Sequence, residues 1–290
     1  MTLFEIKAEV PLAAVERIDE ALLELQNPGW TVLEDVILGQ AWVVGIFPTE
    51  PEARAAWDGL RSVLPELHSA SVESRALADA DWRDSYKRHF RAWQFGRLHW
   101  VPIWEKEHFR LAAGESVLWL DPGLAFGTGN HETTRLCVER LVELVEQKGP
   151  VATVLDAGCG SGILALSAAK LGCRSVSGFD NDPEAVRVSI ENAALNGLES
   201  DVKFSVADLI SGLAGKQVDL LLANILGDVL MRHARELTAA VAHGGTLILS
   251  GILAKECEQV RETFAGFAKA WAMESRVMGE WSDVALTRPA

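Results

Sequence analysis

The sequence predicts an α/β protein built from two units: a small α+β domain, then a larger domain in which strands and helices alternate around a parallel sheet. Three observations predict it. Residues 1–77 carry apolar patterns in the order βαββαβ. From about residue 116, apolar runs of strand length alternate with helical stretches, the pattern of a parallel sheet flanked by helices. One of those runs leads directly into a glycine-rich turn and a helix start. The chain has 290 residues, 49% hydrophobic and 23% charged. That is ordinary globular make-up and enough length for about two domains.

Leu3, Ile6, Ala8 and Val10 mark the first strand. Pro11 opens a helix carrying Val15, Ile18, Leu22 and Leu25, which Asn27-Pro28-Gly29 ends. Two strands follow, Trp30 to Val36 and Ala41 to Phe47, with Gly39 in the turn between them. Thr49-Glu50-Pro51-Glu52 starts a second helix with Ala53, Ala56, Trp57, Leu60 and Leu64 on its apolar side, and Ser71 to Leu77 closes the unit. This is the split-βαβ, ferredoxin-like arrangement. It buries one sheet face under two helices and leaves the other free to bind a partner.

Between Asp81 and Arg110 the cations Arg83, Lys87, Arg88, Arg91, Arg97, Lys106 and Arg110 are interleaved with Trp82, Trp93, Trp100 and Trp104. Basic residues among aromatics can form a nucleic-acid patch. The sequence favours a plainer reading, an amphipathic connector whose tryptophans dock onto a core while its cations stay solvated. A linker helix is therefore expected at 78–94 and the second domain at 95–290. In that domain, strands are expected at Val151 to Leu155, Ser175 to Phe179, Val202 to Val206, Val218 to Ala223 and Thr246 to Leu249. Helices are expected to begin near Ser161, Pro183, Ile225 and Ala254. Trp271 to Met278 and Trp281 to Thr287, separated by Gly279-Glu280, read as an antiparallel pair at one edge.

Charge and cysteine usage narrow the partners. The formal net charge is −14, which opposes the polyanionic backbone of nucleic acid and favours a basic protein or a small molecule. Residues 1–75 alone hold five Lys+Arg against thirteen Asp+Glu, a surface suited to steering a lysine-rich partner. Cys137, Cys159, Cys173 and Cys257 form no C-x-x-C pair and no grouping with histidines at zinc-ligand spacing, so a reduced, metal-free interior is expected. Charges at Glu5, Lys7 and Glu9 break the apolar run a signal peptide needs. The longest uncharged stretch, Thr238 to Ala254, is too short and too polar to span a membrane. The expected location is cytoplasmic.

The chemistry gathers at strand ends. The run Val154-Leu155-Asp156-Ala157-Gly158-Cys159-Gly160-Ser161-Gly162-Ile163 lets the backbone turn tightly and approach a ligand. A dinucleotide fingerprint needs G-x-G-x-x-G/A; here the glycines run G-x-G-x-G after Asp156. That string is the one S-adenosylmethionine-dependent methyltransferases use for the amino-acid end of their cofactor. Asp180 ends the next strand, where a carboxylate can accept both hydroxyls of a ribose diol; Asp182, before Pro183, suits the helix cap better. Asp208 follows the third strand, placed either to contact an adenine amino group or to cap a loop. Asn224 ends the fourth strand, where its side-chain carbonyl can orient an N–H donor; an ammonium must first lose a proton, and Asn cannot take it. The loop Leu120 to Thr134, rich in glycine and hydroxyls, suits a lid leading into a helix through Leu136, Val138, Leu141, Val142 and Val145, with Thr133 or Asn130 as its N-cap. His131 in that loop is either a general base, an acceptor-orienting group or a structural histidine.

Taken together, Asp121-Pro-Gly-Leu-Ala-Phe-Gly-Thr-Gly-Asn-His131-Glu-Thr-Thr134, Asp156-Ala-Gly-Cys-Gly-Ser-Gly-Ile-Leu164, Asp180-Asn-Asp-Pro183, Asn192-Ala-Ala-Leu-Asn-Gly197, Asn224-Ile-Leu226 and Ser250-Gly-Ile-Leu253 resemble the PrmA-type bacterial ribosomal-protein methyltransferases. Trp82-Arg-Asp-Ser-Tyr-Lys-Arg-His-Phe90 resembles that family's linker. The resemblance implies a class I S-adenosylmethionine-dependent methyltransferase domain behind a ferredoxin-like substrate-gripping domain. It implies methyl transfer from S-adenosylmethionine to lysine ε-amines, and to an N-terminal α-amine, of large-subunit ribosomal protein eleven. By position it implies cofactor contacts from Thr134, Gly158, Asp180 and Asn224, beside Gly160 and Asp208 from the strand-end reading. This chain departs from the family pattern at Asn130 and Glu132, where the family commonly has Thr and Pro, and at Gly227-Asp228-Val229, where a proline-containing turn is usual. Two rivals stay open here. A nucleic-acid or release-factor methyltransferase of the same fold typically carries Asn-Pro-Pro-aromatic after the fourth strand, where this chain has Ile225 and Leu226. A non-catalytic cofactor-binding protein is the other.

Overall fold

β1 (Leu3–Val10) sits inside a four-stranded antiparallel sheet with β2 (Trp30–Asp35), β3 (Gln40–Phe47) and β4 (Val72–Leu77), in the order β2-β3-β1-β4. The computed structural model describes residues 3–24, 30–35, 40–68, 70–77, 92–121 and 131–290, and the chain divides into two compact units, Met1–His89 and Phe90–Ala290. In the first unit, α1 (Val15–Glu24) follows a single 3-10 turn after Pro11. α2 (Glu50–Val63) begins where expected: Thr49 caps it by accepting from Glu52 N, and Pro51 stands in its first turn. Ile6, Ala8, Ile18, Trp30, Val43, Trp57 and Leu60 form its core, each large side chain contributing roughly 1.5–3 kcal/mol by burial. Gly45 is required there, because a Cβ would lie 2.6 Å from the Trp30 ring. The expected turn residues Asn27-Pro28-Gly29 and Gly39 lie outside the described residues, as does Leu25.

In the second unit the large sheet contains β8 (Val154–Ala157), β9 (Val176–Asp180), β10 (Val202–Val206), β11 (Val218–Asn224), β12 (Val241–Leu253), β13 (Ala272–Met278) and β14 (Trp281–Thr287). Its order is β10-β9-β8-β11-β12-β14-β13. The first five of these are parallel, and β14 and β13 close the edge antiparallel, as expected. Between the strands run α4 (Ile163–Lys170), α5 (Pro183–Leu195), α6 (Leu209–Leu213), α7 (Gly227–Arg232), α8 (Ala234–Ala239) and α9 (Cys257–Phe267), with α3 (Glu132–Lys148) preceding the sheet. One apolar layer, with Trp100, Leu141, Leu166 and Leu222, covers one face; another, with Leu221, Leu237, Leu249 and Phe264, covers the other. Chain order reverses between β8 and β11, so a crevice opens beyond their carboxyl ends, where open α/β sheets bind ligands.

Three expectations change. The unit does not start its regular structure near residue 116: β5 (Trp93–Phe95), β6 (Leu98–Pro102) and β7 (Ser116–Leu120) form a separate three-stranded sheet. Residues 78–91 of the expected linker helix, with the Trp82 to Phe90 segment, lie outside the described residues, and Trp93 and Gln94 are strand rather than helix. Trp100 is fully buried and its indole N–H donates to Ser167 Oγ at 2.9 Å, which ties this sheet to α4. β12 is the third change, running thirteen residues with register shifts rather than the four read from its apolar stretch.

Candidate functional site

The glycine turn after β8 is held from four sides. Gly158 N and Cys159 N donate to Phe179 O at 2.9 and 3.0 Å. Asp180 Oδ2 accepts from Gly160 N at 2.9 Å, Ser189 Oγ donates to Gly160 O at 2.7 Å, and Asn192 Nδ2 donates to Ser161 O at 2.9 Å. Gly158, Gly160 and Gly162 all have positive φ, a region open to glycine at little cost. At Gly158 a Cβ would also sit 2.5 Å from Ile225 Cγ2. The loop is thus fixed before any ligand arrives.

A cavity of about 910 Å³ lies over this loop, and His131, Glu132, Thr134, Gly158, Gly160, Asn224, Leu226 and Trp281 contribute to its wall. The structure therefore brings together five of the expected site residues: His131, Thr134, Gly158, Gly160 and Asn224. Asn224 Nδ2 donates to the Thr134 hydroxyl at 3.2 Å, joining the end of β11 to the first turn of α3. Asp180 stands behind Gly160 and does not line the cavity. Its Oδ1 accepts from Asp182 N at 3.1 Å, and with two of about four lone-pair positions used it keeps acceptor capacity for a diol. Asp182 caps α5 through Glu184 N at 2.9 Å, as expected. Asp208 is exposed and caps α6: its Oδ1 accepts from Ser211 N at 2.7 Å and Ser211 Oγ at 2.6 Å. Those bonds hold its carboxyl below the usual range, and it does not line the cavity.

His131 is the N-cap of α3, a role expected of Thr133 or Asn130. Its Nδ1 accepts from Thr133 N at 3.4 Å and lies 2.9 Å from Thr133 Oγ1, while its ring meets Trp281 edge-on at 4.9 Å between centroids. With Nδ1 occupied as acceptor, a neutral ring carries its proton on Nε2. Taking up a further proton costs the cap, so the geometry suits orienting better than general-base work. Residues 122–130 of the expected lid loop, Asn130 among them, lie outside the described residues.

Asp156, which opens the glycine string, has surroundings that the spacing alone does not give. Asp156 is 1% exposed and contributes to the cavity wall. Oδ2 accepts from Ala165 N at 3.1 Å, but Oδ1 is buried with no hydrogen-bond partner among the described residues. Burial drives its carboxyl from 3.8 up to about 7; the Ala165 amide opposes this and Asp180 adds to it. A buried unpartnered carboxylate oxygen beside a glycine cradle matches the ammonium and backbone-like end of an amino-acid cofactor such as S-adenosylmethionine.

Comparison with known proteins bears on this site. The family described as ribosomal protein L11 methyltransferase (PrmA) matches residues 5–289. The ribosomal protein L11 methyltransferase of Geobacter metallireducens is 37% identical over 297 residues, covering 96% of this chain and 95% of its own. That of Geobacter sulfurreducens is 47% identical over 208 residues, 71% of this chain and 66% of its own. Among solved structures, a ribosomal protein L11 methylase from Lactobacillus delbrueckii subsp. bulgaricus superposes with a TM-score of 0.61 at 31% identity, covering 69% of this chain and 100% of that chain.

Proposed function

The chain belongs to the ribosomal protein L11 methyltransferase (PrmA) family, and from that premise we propose that it transfers methyl groups from S-adenosylmethionine to lysine ε-amines, and to the N-terminal α-amine, of ribosomal protein L11 in the cytoplasm. The observation that carries the reading is the Asn224–Thr134 hydrogen bond across the crevice from the glycine cradle. Bound there, S-adenosylmethionine supplies an electrophilic methyl on a positively charged sulfur. The protein's part is to hold and align. Gly158, Gly160 and Asp156 take the amino-acid end, and Asp180 takes the ribose. Asp208, two residues beyond β10 and the cap of α6, would be the contact on the adenine side. With its amide N–H committed to Thr134, Asn224 offers its carbonyl oxygen to the N–H of the incoming amine, which directs the nitrogen lone pair at the methyl. His131 donates from Nε2 and orients.

Leu226 and Ile225, in place of a proline–aromatic turn, make the mouth apolar and unstacked, which favours an aliphatic amine over a planar base or amide. The acidic first unit, with Glu5, Glu9 and Glu73 on the sheet strands, suits a basic protein substrate. Among the described residues no helix is long and apolar enough to cross a membrane. The test is incubation with labelled methyl donor and unmethylated ribosomal proteins, with mass mapping of the product. Label on L11 amines is expected; cofactor binding with no labelled ribosomal protein contradicts the proposal.

A further inference from the structure

One wall of the cavity joins a carboxylate to an indole. Glu132, the first residue of α3, lines the cavity beside Trp281, His131 and Leu226. Its stem packs near the β13–β14 turn, where a Cβ on Gly279 would lie 3.9 Å from Glu132 Cγ. Among the described residues Glu132 has no basic partner. Arg135, one turn further along α3, is turned to the Trp93 ring, its guanidinium carbon 4.1 Å from the ring centroid. Trp281 is half-buried and forms a T-shaped pair with His131, 4.9 Å between ring centroids, and Leu226 is 64% exposed. The rim therefore joins a carboxylate with no basic partner among the described residues, an indole and an apolar wall.

We propose that Glu132 and Trp281 form an ammonium-docking rim that captures the protonated target amine, which gives its proton to solvent before it is methylated, making Glu132 a specificity-determining residue of this chain. The proposal rests on the methyltransferase reading. A carboxylate and an indole face are complementary to an alkylammonium, and Leu226 covers the methylene stem. Asp156, whose buried Oδ1 would take the cofactor's own ammonium, lines the same cavity, so the two cations would be met by separate carboxylates. Docking by charge has a cost. A carboxylate beside the ammonium stabilises its protonated form and raises the pH at which the nucleophilic amine appears. The other titratable groups lining the cavity are His131, Asp156 and Cys159, and Glu280 stands in the adjacent turn; none is a cation when His131 is neutral.

The experiment compares full-length wild type with Glu132→Gln, using L11 and labelled donor, across pH. Expected is a KM for L11 raised roughly three- to tenfold, with the rising limb of the kcat profile moved to lower pH and donor affinity by calorimetry unchanged. An unmoved KM and an unmoved pH limb overturn the proposal while leaving the methyltransferase reading intact. A wild type that binds donor but methylates nothing overturns that reading instead. In that event NMR titration with n-butylammonium against n-butanol still decides the rim: cation-selective shifts that Glu132→Gln abolishes support it, and equal shifts contradict it. Trp281→Phe, which keeps a ring in the β14 edge, should give a smaller KM rise than Glu132→Gln, and Trp281→Leu a larger one than Trp281→Phe.

Discussion

Asn224 at the end of β11 donates its side-chain amide to Thr134 in the first turn of α3 at 3.2 Å, across ninety residues of sequence. The bond fixes the orientation of the Asn224 amide, with its nitrogen turned to Thr134. Thr134 is 4% exposed, so its hydroxyl is shielded from competing water and the orientation it enforces is firm. Replacing Thr134 with Val keeps the shape and removes the acceptor. The expected result is a fall in kcat of roughly tenfold with stability lowered by about 1 kcal/mol, read by single-turnover kinetics and urea unfolding. Thr134→Ser should restore most of kcat.

Asp156 should make cofactor affinity depend on pH. Burial holds its carboxyl at about 7 in the ligand-free fold, against 3.8 ordinarily. The folded form therefore binds the proton more tightly than the unfolded chain, and the stability this gives is lost as pH rises from about 4 to about 7. A cationic ligand selects the ionised carboxylate, so binding releases a proton below pH 7. Calorimetric affinity for S-adenosylhomocysteine should rise about tenfold from pH 5.5 to 6.5 and level off above 7. In Asp156→Asn that slope should vanish, with weaker binding at pH 7.5.

A buried ion pair braces α3 against the sheet edge. Arg140 Nε and Nη2 donate to the two oxygens of Asp283 at 3.0 Å each, and Asp283 is fully buried. Arg276 N also donates to Asp283 Oδ1, at 2.9 Å. Arg140→Met leaves that carboxylate without its charge partner and should destabilise the second unit by about 3–5 kcal/mol, seen as a lower midpoint in urea. The double variant Arg140→Met with Asp283→Leu should recover much of the loss, because the cost lies in the orphaned charge.

How much of this was legible in the chain depended on whether a residue acts locally. Thr49 and Asp182 declare themselves as caps because their partners lie two or three residues away. The antiparallel edge pair was equally plain from its Gly-Glu turn. β5 to β7 were not, since they are only three to five residues long and their anchors are distant: Trp100 on Ser167, and Asn196 bridging Trp119 N and O at 2.8 and 2.9 Å. The helical run after the fourth strand hid its break into α7 and α8 at His233. At the site, the glycine turn, Asp180 and Asn224 could be placed by strand ends alone. The His131 cap could not, because histidine is a rare capping residue and its Nδ1 gives no local signature. Nor could the unpartnered oxygen of Asp156, which exists only once Leu222 pairs beside it in β11 and α4 closes over it.

On the proposed function, Asn224 aligns an L11 amine with the methyl donor. The most direct measurement is single-turnover methyl transfer to unmethylated L11 by Asn224→Ala, beside calorimetric donor affinity of the same preparation. Transfer should fall roughly a hundredfold or more, the range expected when an aligning group is lost, while donor affinity stays within about threefold. Wild-type transfer rates in Asn224→Ala would contradict the account.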